Sequence, residues 1–188
     1  MDQIVFSNVT WWDLFIQLIG FIGLLMNVIS FQFNTNKQIV GFQLVGCLFW
    51  TTHFILLGQL PGNAAAYTGA ALNAVCIFRN GVFFMRPKAW AAHPAWLYVF
   101  CTCSVLAGIF TWNGPLSLLS SVAMLFSTTA LYVKNTTLTR RLLVVNSVCW
   151  LIFDAMTYSI PGTAAEVFSL TSIGIAMFRF DRKKAEAV

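Results

Sequence analysis

Residues 50–79 read WTTHFILLGQLPGNAAAYTGAALNAVCIFR, and residues 150–179 read WLIFDAMTYSIPGTAAEVFSLTSIGIAMFR. Laid on each other without a gap, the two stretches share Trp50/Trp150, Pro61-Gly62/Pro161-Gly162, Ala64-Ala65/Ala164-Ala165 and Phe78-Arg79/Phe178-Arg179. Leu18/Leu118, Leu25/Leu125 and Val45/Val145 carry the same register backwards. A unit of roughly sixty residues therefore occurs twice, and a repeat of this kind decides the architecture before any local pattern does.

The composition states where that unit lives. Hydrophobic residues make up 59% of the 188 and charged residues 9%, against about a quarter charged in soluble domains. This much apolar surface has no place to hide in water, so the chain is expected to be an integral membrane protein. Helices are the expected elements, because an open sheet cannot satisfy its backbone in lipid. About twenty apolar residues cross the hydrocarbon layer as a helix. On that rule the spans are Trp11–Phe33, Ile39–Leu57, Asn63–Phe84, Ala95–Trp112, Leu116–Val133, Leu142–Ser159 and Thr163–Phe180, with polar or Pro-Gly breaks between them.

Seven crossings segregate the charge. Lys37, Arg79, Arg86, Lys88, Lys134, Arg140, Arg141, Arg179, Arg182, Lys183 and Lys184 all fall on one side, and the other side has Asp2 and no Lys or Arg. The positive-inside rule then puts the C-terminus in the cytoplasm and the N-terminus outside. The net charge of +5 is thereby explained by topology and does not call for a nucleic-acid partner. A unit of three spans ends on the side opposite its start, so two copies facing alike need one crossing between them. Ala95–Trp112 supplies it. The expected plan is all-α, three plus one plus three: a first three-helix bundle over 11–84, a linker helix over 95–112, a second bundle over 116–180 and a cytoplasmic tail over 181–188. Such parallel repeats about an axis normal to the membrane occur in transporters.

With this plan the chain resembles the SWEET, SemiSWEET and PQ-loop superfamily of transporters. The Trp-x10-Pro-Gly-x-Ala-Ala pattern and the length resemble, more closely, the YgjV family of bacterial inner-membrane proteins, over nearly the whole chain. The resemblance implies a transporter-like fold and a pocket in which a Trp and an Asn hold a solute. Two departures stand out. Neither Trp11–Phe33 nor Leu116–Val133 contains an internal proline, which puts rocking about proline hinges in doubt, and no Pro-Gln dipeptide occurs.

Candidate site residues follow from depth and polarity. Trp50 and Trp150 lie in mid-span, away from the interfacial belt where tryptophans collect. With Asn73 and Asn27 they form the expected solute-binding set. The competing reading is that the indoles fill wide helix junctions and that Gln17, Gly20 and Asn27, with their mates Ser117, Ser120 and Ser127, let helices pack closely. His53 and Asp154 each stand one turn beyond a repeated Trp, and ionisable groups at such depth mark function. A His53–Asp154 pair is the expected outer gate or proton relay, against a plain interfacial role. Glu166 either closes a capping box begun by Thr163, with Asn63 as the matching cap, or joins the gate. Arg79 and Arg179 read as snorkelling anchors or as a cytoplasmic gate. The five cysteines, Cys47, Cys76, Cys101, Cys103 and Cys149, are packing residues, not ligands.

The expected function is passage of a small polar solute through the bilayer. The alternative is a receptor or scaffold on the same fold that binds a ligand or partner without moving it. Nothing in the sequence resembles a P-loop, a metal cluster or a nucleophile triad, so neither an enzyme nor a cofactor or metal is expected. A homo-oligomer remains open.

Overall fold

The computed structural model describes residues 10–30, 32–33, 35–133 and 135–181, without the side chains of Asn36, Phe180 and Asp181. Asp2, Lys134 and the tail from Arg182 onward, on which part of the charge argument rests, lie outside the described residues. Seven α-helices follow one another: α1 (Trp11–Ser30), α2 (Asn36–Gly58), α3 (Ala66–Phe84), α4 (Ala95–Phe110), α5 (Pro115–Ala130), α6 (Thr136–Met156) and α7 (Ile160–Ala176). A π-helical turn, Met177–Asp181, closes α7. Among the described residues there is no strand.

Local chemistry fixes the helix ends. Thr35 caps α2 by accepting from Gln38 N, and Asn135 caps α6 by accepting from Thr137 N and Leu138 N. These two caps satisfy N–H groups that the first turn leaves open, and the helices they start lie one hundred residues apart. Pro115 opens α5 and Pro161 lies in the first turn of α7, where a missing N–H costs nothing. Three helical stretches are long and apolar enough to cross a bilayer by themselves: Trp11–Ser30, Lys37–Gly58 and Ile160–Arg179. Helices α4 and α5 are apolar but shorter. Helix α3 carries Arg79 and α6 carries Arg140, Arg141 and Asp154, which lowers their hydropathy.

Packing runs in a ring. α1 packs on α2, α2 on α3, α5 on α6 and α6 on α7; α3 meets α5, and α7 returns to α1. α4 stays outside the ring and bridges α3 and α5. Its outward face exposes Tyr98, Ile109 and Phe110, as lipid-facing surface does. Where the ring closes, the buried core is Ile16, Trp50, Phe54, Leu57, Ala66, Ala70 and Phe153.

One turn differs from the sequence expectation. Residues 160–162 were expected in a loop, with α7 starting at Thr163. Instead Ser159 is the N-cap, accepting from Gly162 N, and Pro161-Gly162 forms the first turn of α7. Only Thr157, Tyr158 and Ser159 separate α6 from α7, and Tyr158 takes a left-handed φ of 57° to make so short a turn. In the other copy Pro61-Gly62 does lie in a turn, with Gly62 at φ 75°.

Candidate functional site

The ring has two unlike ends. At the end holding the α2–α3, α4–α5 and α6–α7 turns, polar side chains tie helix to helix. Gln17 of α1 donates to Tyr158 O at 2.9 Å and accepts from Ile160 N at 3.1 Å. Asn63 donates to Thr157 O at 2.8 Å. Thr68 of α3 donates to Thr111 O at 2.6 Å and lies 2.8 Å from Ser117 Oγ of α5. His53 is central: Nδ1 lies 2.8 Å from Ile16 O and Nε2 2.9 Å from Ser159 Oγ. In the neutral ring Nδ1–H donates to the carbonyl, the Ser159 hydroxyl donates to Nε2, and Ser159 in turn accepts from Gly162 N, so all three groups are satisfied. Below this layer Phe54 stacks on Trp50 and on Trp150, with centroids 6.1 Å away in both cases. This end is closed.

The opposite end carries Lys37, Arg86, Arg140 and Arg141 and is open. A cavity of about 510 Å³ enters there beside Lys37, Phe84 and Arg86. Lys37 stands 5.3 Å over Phe84, and Arg86 5.0 Å over Phe83. At Gln43, Arg79 and Asn80 this mouth meets a central cavity of about 310 Å³, a volume within the range of small-molecule sites. Every ring helix contributes to the central cavity, from Asn27 of α1 and Ser127 of α5 to Trp50, Asn73, Trp150 and Glu166. α4 contributes nothing to it.

Trp50, Trp150, Asn73 and Asn27 therefore meet around one space, as their depth suggested. The two indoles do not face each other across a gap, however, because Phe54 lies between them. Asn73 donates to Gly69 O of its own helix at 3.0 Å. The small-residue stripe divides by depth: Gln17, Gly20, Ser117 and Ser120 pack or bond at the closed end, while Asn27 and Ser127 line the cavity. Asn27, given both a binding and a packing reading, lines the cavity, and so does Ser127, for which close packing was expected.

Three sequence expectations are corrected. His53 and Asp154 do not pair, because Ser159 and Ile16 take both imidazole nitrogens. Asp154 instead faces the cavity beside Gly162 and Glu166, 3% exposed, with Oδ1 lacking any hydrogen-bond partner. Glu166 is not a cap, since α7 starts with Ser159; it lies in the second turn, lines the cavity, and its Oε2 is unpartnered too. Asn63 is not the cap of α3 either, since its amide reaches Thr157 O and Ala65 holds the cap position.

Arg79 is the residue whose place the sequence hid. α3 continues to Phe84, so Arg79 is inside the helix and 9% exposed. Its Nη1 donates to Thr128 Oγ1 at 2.9 Å and to Ser127 Oγ at 3.3 Å, and reaches Met124 Sδ at 3.6 Å, while Nε has no partner. Asn146 lines the same region, and its amide, turned so that its nitrogen faces Ala123 O at 2.9 Å, donates there. Its signal was weak, as it looks like any polar residue in a helix bearing two arginines.

Chemically, the arrangement is a cavity of mixed lining with a buried acid, Asp154, and a half-buried one, Glu166, at one end and a buried guanidinium where it joins the mouth. Comparison with known proteins gives the family. No solved structure matches the chain. It is 25% identical over 173 residues to Inner membrane protein YgjV of Escherichia coli (strain K12), covering 92% of this chain and 87% of that one. A family model described as a bacterial inner membrane protein matches residues 14–184, which takes in every ring helix and the cavity, so the chain belongs to the Imp-YgjV family of bacterial inner membrane proteins.

Proposed function

We propose that the protein is a transporter of a small polar solute, which it moves by alternating access between its two halves. The observation that carries this is a cavity lined from both halves, with interhelical hydrogen bonds across one end and basic side chains at the other. Trp50, Trp150, Asn73 and Asn27 hold the solute. The ties made by Gln17, Asn63, Thr68 and His53 form the closed gate, and they must break for the opposite opening. Asp154, buried, and Glu166, half-buried, have no cation paired with them among the described residues and serve as the gating or proton-coupling pair, since uncompensated charge in a membrane interior is expensive. The basic end faces the cytoplasm and the sealed end the periplasm, by the positive-inside rule. The protein is then a passage and not a catalyst.

The test is flux in proteoliposomes with labelled glucose, alanine and succinate as separate probes. Uptake of one of them by the wild type, lost on joint substitution Trp50→Ala and Trp150→Ala while the protein still inserts, is the expected result. A probe that stabilises the purified protein but never crosses would select the receptor or scaffold reading. Unchanged flux in the double variant would remove the two tryptophans from the site.

A further inference from the structure

Arg79 is a buried cation without a buried anion. Among the described residues no carboxylate pairs with it. Its three side-chain contacts, two hydroxyls and a thioether, all go to Nη1. Hydroxyls solvate a guanidinium but do not neutralise it, and an unpaired charge at this depth carries a large desolvation penalty. The unbonded Nε belongs to the edge of the fork that suits a carboxylate or phosphate, which takes two parallel N–H donors. Nε itself is shut off from solvent, but Arg79 lines both the mouth and the central cavity, and its hydrogen bonds all leave Nη2 free. Asn27 and Asn80 line the same space with amides.

We infer that Arg79 is the oxyanion site of this cavity, and that the solute is a small organic acid or phosphate whose anionic group is held at the unbonded Nη2 of its guanidinium. This rests on the reading of the cavity as a solute site. The mouth favours the same charge, since Lys37 and Arg86 flank it and a cleft lined by one sign of charge concentrates its counter-ion.

The same oxyanion chemistry is available from a lipid headgroup, and the test separates the two. Purified protein in neutral detergent is titrated with sodium succinate and with sodium phosphate, against sodium chloride of equal ionic strength and against glucose. Thermal unfolding and tryptophan fluorescence are read together, because Trp50 and Trp150 line the cavity. A saturable rise in unfolding temperature with succinate or phosphate, absent with chloride and glucose, is expected. Arg79→Gln should abolish it. Arg79→Lys, which keeps the charge and loses the fork, should raise the half-saturating concentration by about tenfold or more. No response of the wild type to either oxyanion overturns the inference, as does a response that both variants retain. A response to phosphatidylglycerol nanodiscs over phosphatidylcholine nanodiscs, with none to the soluble anions, also overturns it by assigning Arg79 to lipid. Oxyanion binding without flux would leave this site standing and remove transport. Flux of glucose or alanine insensitive to Arg79→Gln would do the reverse.

Discussion

Gly20 is where α1 comes closest to the start of α7, and Gly20→Ala tests the closed end directly. A methyl group there would lie 2.5 Å from Pro161 Cγ, 2.8 Å from His53 Nδ1 and 2.9 Å from His53 Cε1. Non-bonded carbons rest at about 3.5–4.0 Å, so the proline ring would have to retreat by about 1 Å. Neither obstacle is a flexible chain end. Pro161 is a ring in the first turn of a helix, His53 is pinned by two hydrogen bonds, and both are fully buried. Overpacking of this kind costs about 1–3 kcal/mol, which for a chain of this size is a fall of about 2 to 12 °C in unfolding temperature. Gly174→Ala on α7 is the internal control, because nothing lies within 4 Å of its added methyl. There alanine gains up to about 1 kcal/mol of helix propensity. Both variants are to be melted in the same detergent, with tryptophan fluorescence as the signal. Gly20→Ala melting with the wild type, or the two variants moving together, would refute the close seam between α1 and α7.

Phe54→Ala should lose about 3–5 kcal/mol, since the ring is 2% exposed between two indoles; the check is thermal unfolding, and the same variant should weaken the blind end and make uptake leaky. His53→Phe places at position 53 the residue its repeat mate Phe153 already has, and removes both bonds to Ile16 and Ser159. Interhelical bonds in membranes average about 0.6 kcal/mol, so a loss of about 1 kcal/mol is expected in a denaturation curve. Tyr158→Gly relieves a left-handed residue whose side chain is 77% exposed; relief of about 1 kcal/mol should raise the unfolding temperature, and a fall would show that the ring itself packs on something essential.

The helices were legible because hydrophobic length and polar breaks are local properties. The starts of α2 and α6 were not: the spans were expected from Ile39 and Leu142, but the side chains of Thr35 and Asn135 cap earlier starts at Asn36 and Thr136. The Pro-Gly pair shows where that logic stops. It is the same dipeptide in both copies, yet Pro61 is exposed in a turn and Pro161 is buried in a helix. What differs is the neighbour before it. Ser159 offers a hydroxyl that caps an earlier start, whereas Gln59 at the mate position is the C-cap of α2. Shifting the start of α7 moved Glu166 from the helix end into the cavity wall, which no spacing rule within the sequence would reveal.

The same shift explains the fate of the His–Asp pair. His53 and Asp154 stand one position apart in the repeat, 100° apart around their helices. Their helices face each other across the ring, so side chains one residue out of register need not meet. Ser159 fills the space that His53 points to, and Gly162 lets the backbone of α7 come close to Asp154; a methyl there would lie 2.5 Å from Asp154 Cγ. One copy thus spends its ionisable residue on tying α2 to α1 and to the α6–α7 turn, and the other turns its residue into the cavity. Between two copies of one unit, this is how a symmetric ring acquires an inside charge on one half only. Arg79 adds the opposite charge from the other half, since its mate Arg179 lies beyond α7 in the π-turn. The polarity of the cavity therefore comes from where the copies differ in residue or in placement, and the substitutions that restore the repeat, His53→Phe and Asp154→Phe, should abolish ligand response before they abolish folding.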